Sequence, residues 1–449
     1  MSGKDNNKNK GLGKDFWCYR GGEFLSDLGT SAQTLAIAWW VLEMTGSAAS
    51  MATVLVPTMI AQIIFSPLLA PLGDRFARKK IMLWANAGKI VTVSTMAWLF
   101  FNEAMTIPAL IALAISGCFF GCLFTAGSEA IVSNLVKADQ LQKANQSIQS
   151  LNAITMLLGG AFGATMVATI GIKGAVLVNL VSFFASVIGI SLISQNTKPK
   201  REDNNGLTIA NWSRDIYLGF RALIKVRVVL VLVIAASLIN MALLPVIIMV
   251  PYLVKETLGL SPYYVGIIEA AIAIGALIGS VTLSLVTKRI ANHRALLLGI
   301  VVIVAMMIIP AVMQSYWLLV AGFTLSMVGS LWVNILIQTQ MTVAIPDHFR
   351  SRILSSMGIL SALAAPFGVT VSGILTDSYG AWPVLLGCVS LAALTIPLFA
   401  IIPNMANFFN KPEDEVGGWV LDTYPGAFDS SNEQATPNET SPKPVQQAG

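Results

Sequence analysis

Charge is what this chain has least of. Only 11% of its 449 residues are Asp, Glu, Lys or Arg, against roughly 25% in a soluble globular protein. That is too few to clothe a water-facing surface, while 55% of the residues are hydrophobic and the mean hydropathy is +0.71. Cysteine is scarce as well. The four, Cys18, Cys118, Cys122 and Cys388, form no CxxC pair, which argues against a disulfide framework or a zinc site. His293 and His348 stand in separate charged loops without a carboxylate or cysteine cluster, so no metal or other cofactor is expected. No GxxxxGK(S/T) phosphate loop is present, so nothing supports ATP-driven work by this chain alone. No nucleophile–base constellation marks an enzyme.

What the chain has in abundance is long apolar runs. A bilayer core about 30 Å thick takes about 20 helical residues to cross. Runs of that order lie at 20–44, 48–72, 81–101, 106–132, 145–170, 174–194, 228–254, 262–287, 294–313, 316–343, 353–376 and 381–403. They predict an all-α membrane protein with twelve transmembrane helices. Pro57, Pro67, Pro245, Pro251 and Pro366 fall inside these runs, where neighbouring groups re-satisfy the freed carbonyls. The first sixteen residues are polar and Lys/Asn-rich, which predicts an uncleaved first helix rather than a signal peptide.

Lys and Arg set the expected orientation. With both termini in the cytoplasm, 25 of the 28 fall on that side, Lys173 and Lys255 fall outside, and Lys89 is left within helix 3. The net charge of +5 is thus a positive-inside signal, and no nucleic-acid partner is needed to explain it. The expected division is a cytoplasmic N-terminal tail (1–19), a six-helix bundle (20–194), a cytoplasmic linker (195–227), a second six-helix bundle (228–403) and a disordered cytoplasmic tail (404–449). Within the linker, Ile209, Trp212, Ile216, Phe220 and Leu223 recur at helical spacing opposite Arg214, Asp215, Arg221 and Lys225, as in a helix lying on a membrane surface.

The two bundles repeat one another. Arg75 and Ala77 in the loop after helix 2 match Arg289 and Ala291 after helix 8, and Gly160-Ala-Phe-Gly163 in helix 5 matches Ala365-Pro-Phe-Gly368 in helix 11. Paired halves of this kind mark a transporter with its site between them.

The run Ala70-Pro-Leu-Gly-Asp-Arg-Phe-Ala-Arg-Lys-Lys-Ile81 resembles the loop 2–3 signature of the major facilitator superfamily, with alanines at two positions where glycine is usual. Leu157-Leu-Gly-Gly-Ala-Phe-Gly-Ala164 is similar to the helix 5 signature of its antiporters, with Gly160 in place of the proline. The Arg-bearing helix 4 signature of many drug antiporters is absent. Phe24–Gly29 through Ala38–Ser47, Lys143-Ala-Asn145 and Gly219–Leu223 are similar to the branch holding macrolide- and enterobactin-type exporters. Ala85-Asn-Ala-Gly-Lys89 looks somewhat like helix 3 of the related lysophospholipid transporters. The resemblance spans about 20–405. It implies alternating access in a bacterial cytoplasmic membrane, with Asp74 bracing the halves and Arg75 and Arg78 as its partners.

Ionisable groups within a bilayer cost several kcal/mol, so each needs a reason. In helix 1, Glu23, Asp27, Thr30 and Thr34 form a narrow polar stripe at 100° per residue, with Asp27 about 6 Å deeper than Glu23. Asp27 suits a proton-coupling group, while Glu23 either shares that role or pairs with Arg20. Lys89 lies deep in helix 3, where it pairs with a helix 1 carboxylate or attracts an anionic cargo. Glu269 in helix 8 is a second proton site or lines an outer vestibule. Asn152, Asn334 and Gln338 are expected to line the substrate cavity, or else to bond helices together. Gly159 and Gly163 permit a close helix approach that seals one side, and Glu129 at the end of helix 4 suits a gate.

The function expected is proton-coupled export of a small amphipathic molecule of drug or siderophore class. A lysophospholipid flippase and an uptake symporter are the alternatives, and a transport-dead sensor or scaffold is the reading from another class. The expected partners are the cargo, protons and the lipid bilayer, with none required among proteins.

Overall fold

In a computed structural model of the chain, residues 12–137, 140–195, 220–345, 347–401, 404–411 and 413–424 are described. Most of the 195–227 linker, with Ile209, Trp212 and Ile216 of its expected surface helix, lies outside them, as do residues 425–449 and the side chains of Asp74 and Arg75; Phe220 packs on and Leu223 is buried in the core of the second half.

Among the described residues every element is helical. The first half comprises α1 (Lys14–Thr45), α2 (Ala48–Arg75), α3 (Arg78–Phe101) and α4 (Ile107–Leu135), then α5 and α6. Leu141–Ser191 is hydrogen-bonded as one helix of 51 residues, which would be about 77 Å long and more than twice a bilayer core. Gly171 breaks it with φ 70° and ψ −175°, leaving α5 (141–170) and α6 (172–191) as separate crossings. The second half comprises α7 (Arg227–Ile248, prolonged to Thr257), α8 (Tyr263–Thr287), α9 (Asn292–Met313), α10 (Tyr316–Ala344), α11 (Asp347–Tyr379) and α12 (Ala381–Ala393, prolonged through Thr395–Ile401).

Nine helical segments among the described residues are long and apolar enough to cross a membrane, with Leu141–Ser191 as one of them. Dividing it at Gly171 and adding α1 and α3 gives the twelve expected. α1 and α3 fall short in hydropathy because they carry Asp27, Thr30 and Thr34, and Asn86 and Lys89. The two helices least suited to lipid are those that carry Asp27 and Lys89.

Local chemistry fixes the ends. Gly46 closes α1 in the left-handed region at φ 59°, which glycine adopts without a Cβ penalty. Ser47 caps α2 by accepting from Ser50 N, and Thr106 caps α4 ahead of a first-turn proline; both satisfy orphan amides of a first turn. Lys79 Nζ donates to Ser191 O and Ile193 O at 2.9 and 2.7 Å, so part of the basic loop 2–3 caps the end of α6.

Within the first half α1 packs on the α5–α6 pair and α4 on α2 and α3; within the second, α10 packs on α8 and α9, and α11 on α7. The halves meet along α5–α8 and α2–α11. The buried clusters show how. On the side where α1 begins and the last described helices lie, here the termini side, one core holds Phe16, Tyr19, Met82 and Ile131 of the first half only. Another holds Leu232, Ile300, Leu336 and Phe408 of the second half only. On the far side a single core takes in Ala32, Ala36, Trp39 and Ala164 together with Val246, Met249, Leu253 and Ile268. Among the described residues, the halves are fused on the far side and share no buried cluster on the termini side.

Helical structure extends into both expected tails. α1 begins at Lys14 rather than at 20, because Phe16 and Tyr19 are core residues and Asp15 accepts from Ser194 and Gln195 amides at 3.0 and 3.1 Å. Residues 404–424, expected to be disordered, include α13 (Met405–Asn410) and α14 (Glu413–Thr423). Phe408, Phe409, Val416 and Val420 are fully buried against the second half. Gln340 Nε2 donates to Phe408 O, and Asn292 Nδ2 donates to Phe409 O at 3.2 Å. Phe→Ala in a core costs about 3–5 kcal/mol. Phe408→Ala is therefore expected to lower the thermal unfolding midpoint in detergent clearly, and an unchanged midpoint would make the clasp ornamental.

Candidate functional site

The ionisable groups converge on α1. Arg20, only 4% exposed, pairs with Glu23 and donates from Nη2 to Asn152 Oδ1 of α5 at 3.0 Å. Glu23 is thereby neutralised, and Asn152 is brought to it as a bracket for the arginine. Four residues on, half-buried Asp27 has no hydrogen-bond or ion-pair partner for its carboxyl among the described residues. The two α1 carboxylates, alike in sequence, are thus in different situations: one is engaged and the other free.

Lys89 does not form the expected ion pair. Its Nζ lies 4.5 Å from the centroid of the Phe124 ring and 5.4 Å from that of Phe183, a cation held by two aromatic faces. α4 and α6 supply those rings, closing the ammonium inside the first half. The charges of Asp27 and Glu23 nevertheless act on it through space.

Glu269 is at the joint between the halves. A Cβ built on Gly160 of α5 would lie 1.9 Å from Glu269 Oε2 and 2.3 Å from its Cβ, so the glutamate occupies the space that a side chain at 160 would fill. Gly266, one turn earlier on α8, abuts Ala161 and Ala164 in the same way. Glu269 has no hydrogen-bond or ion-pair partner among the described residues. The expected close-approach glycines, Gly159 and Gly163, have a different neighbour: Gly159 packs against the Ser31 side chain, and Gly163 against Ser31 and the Ala32 backbone, all on α1. They tighten the first half, and Gly160 is the one that admits the second.

A cavity of about 260 Å³ opens in the second half, lined by Asn240, Met307, Phe323, Met327, Ser330 and Asn334 among others, with no charged residue in its wall. Asn334 Nδ2 donates to Ser330 O at 2.8 Å. Gln338, one turn nearer the termini side, is exposed and outside this lining. Arg78 hydrogen-bonds Asn134 of α4, and Glu129 is exposed at the end of α4 without a partner among the described residues. The structure therefore brings together Arg20, Glu23 and Asn152, places Lys89 within the field of Asp27, and keeps Glu269, Asn334 and Gln338 on the other half.

Sequence reasoning missed Asn240, the two rings around Lys89, and Asp377, whose carboxylate meets the start of α2. Asn240 is a lone amide in an apolar run, a readable signal. Phe124 and Phe183 are ordinary in membrane helices, and only tertiary packing gives them a role.

Residues 21–369 and 230–418 match the Major Facilitator Superfamily, and the chain belongs to it. Among curated proteins, it is 23% identical over 411 residues to macrolide efflux protein A of Streptococcus pyogenes, covering 88% of this chain and 96% of that one. It is 25% identical over 394 residues to the multidrug efflux pump Tap of Mycobacterium tuberculosis, covering 82% of this chain and 90% of that one. Among solved structures it is similar to a bacterial homologue of the iron transporter ferroportin in an inward-facing state (TM-score 0.68, 15% identity, 88% of this chain and 100% of that one). A bacterial homologue of the human lysosomal transporter Spinster gives a TM-score of 0.66 at 11% identity, over 88% of this chain and 97% of that one. The chain is a multi-pass membrane transporter with the major facilitator fold.

Proposed function

We propose that this transporter exports small amphipathic organic molecules of the drug and macrolide class in exchange for protons, with its termini side facing the cytoplasm. The observation that carries the reading is the contrast on α1: Glu23 is tied to Arg20, itself held by Asn152, while the Asp27 carboxyl has no partner among the described residues. A carboxyl without a fixed partner can take up and give back a proton at low cost in rearrangement, because no bond inside the protein must be exchanged for it. Cargo entering from the termini side displaces the proton, and the far side, once open, supplies the next.

The cavity favours a drug-like cargo over the siderophore and lysophospholipid readings. Its wall offers amides, a hydroxyl, methionines and an aromatic ring, which suit a neutral amphipathic body. It holds no fixed positive charge for a catecholate or phosphate headgroup, and Lys89, the cation expected to attract one, is covered by two rings. Export is also what the names of the curated relatives state of those proteins.

The test is transport by the purified full-length chain in proteoliposomes, with a radiolabelled macrolide and an imposed pH gradient. The expected result is uphill accumulation in the acidic compartment that collapses when a protonophore dissipates the gradient. Accumulation indifferent to the protonophore would remove protons as the coupling ion, and no macrolide movement in either direction would remove the cargo class.

A further inference from the structure

On the far side, the carboxylate of Asp377, in the last turn of α11, is bonded across the halves to the first turn of α2. Oδ2 accepts from Ser47 Oγ at 2.5 Å and from Ala49 N at 3.2 Å, and Oδ1 accepts from Ala48 N at 2.7 Å. Ser50 N is taken by Ser47 Oγ and Met51 N by Ser47 O. The Met51 bond is the first regular one of this 28-residue helix; of the amides that precede it, Ser47 N is taken by Thr45 Oγ1, Ser50 N by the cap side chain, and the two between them by the other half of the molecule. Charge-assisted bonds are the stronger kind, and a carboxylate at a helix N-terminus also meets the positive end of its dipole.

The approach is built into the backbone. One turn before Asp377, a Cβ on Gly373 would lie 3.1 Å from Ala48 O, 3.2 Å from the Ala49 Cα and 3.2 Å from the Ala52 Cβ. The glycine and three alanines bring α11 onto α2 closely enough for the carboxylate to reach the amides. Nearby, Lys255 at the end of α7 lies 5.5 Å from the centroid of the Trp39 ring of α1, a second polar tie between the halves.

We infer that Asp377 is the latch of the far side: its carboxylate holds α11 on the N-terminus of α2 while that side is shut, and it releases whenever that side opens. Asp377 is exposed, so opening trades its three bonds to α2 for bonds to water and leaves two helix amides without their partner; the latch thereby sets how often the exit path opens without touching cargo. The inference rests on the alternating-access part of the proposed function and not on which cargo or ion is used.

The test uses the full-length chain, cysteine-free, in lipid nanodiscs without cargo, with spin-label pairs on each side. Asn102 and Met313, both exposed at the far ends of α3 and α9, report the far side. Asn145 and Gln338, both exposed toward the termini side, report the other. Electron–electron distance measurements on Asp377→Ala are expected to show a longer far-side population enriched about fivefold or more over the parent, with a matching shorter population on the termini side. Asp377→Asn, close in size, is expected to move both pairs in the same directions by less, and Asp377→Glu to restore the parent distributions. Unchanged distributions in both Asp377→Ala and Asp377→Asn would overturn the latch. So would a general broadening of both pairs, the mark of simple loosening. Because no cargo or pH gradient is present, failure here is separable from failure of drug–proton exchange.

Discussion

Asp27→Asn is expected to abolish gradient-driven accumulation of cargo while sparing exchange of labelled for unlabelled cargo. The substitution keeps the shape and the hydrogen-bonding of a protonated carboxyl and removes its ability to ionise. A pH difference of one unit is worth about 1.4 kcal/mol per proton, about tenfold in cargo concentration, and all of that drive passes through the titrating group. Exchange needs only the conformational change, so it persists. The free carboxyl of Asp27 is what distinguishes this outcome from that at Glu23. Glu23→Gln removes a partner from the buried Arg20, and a loss of expression or stability is its expected signature. Gradient-driven accumulation undiminished in Asp27→Asn would take the coupling role away from that residue.

Gly160→Leu is expected to stop transport while leaving each half folded. A side chain at 160 has no room beside Glu269 when the far side is shut. Overpacking of this kind costs about 1–3 kcal/mol, equivalent to about 5- to 150-fold in a two-state equilibrium. The contact lies between the halves and not within either, so the strain falls on the far-closed state and the protein can relieve it by opening. Monodisperse protein with near-parental thermal stability, a far side more accessible to a membrane-impermeant label, and transport reduced by about tenfold or more are the expected results. Gly159→Leu is the contrast. Its neighbour is Ser31 of α1 in the same half, so it is expected to lower stability. If Gly160→Leu unfolded the protein and Gly159→Leu did not, the seam would be misassigned.

The architecture was legible because a bilayer leaves few choices. Twelve runs of spanning length and two loops of matching charge pattern suffice for two six-helix halves, and even α1 and α3, the least apolar, stand out by length. The site was legible only as single residues. Asp27, Lys89 and Glu269 are conspicuous because an ionisable group in an apolar run is costly, yet nothing along the chain says that Lys89 is stacked on rings from α4 and α6, or that Glu269 fills the notch of Gly160. Those contacts join residues about 35 to 110 positions apart, and local periodicity carries no such information. Asp377 was hidden for another reason. It ends an apolar run, where a carboxylate reads as solvated, and its partners are backbone amides, which no side-chain pattern announces. The α13–α14 clasp was obscured by averaging. Phe408, Phe409, Val416, Trp419 and Val420 have helical spacing, but they precede a stretch of Pro, Ser, Asn and Gln that dominated the composition of the whole segment.

Proton-coupled export is expected to show as exclusion: bound cargo and a proton on Asp27 do not coexist. Its most direct measurement is proton release from the purified full-length chain in weakly buffered detergent when a macrolide is added. A saturable acidification is expected that follows the binding curve of the cargo and is missing in Asp27→Asn even though that variant still binds. Binding by the parent chain with no proton released would contradict it.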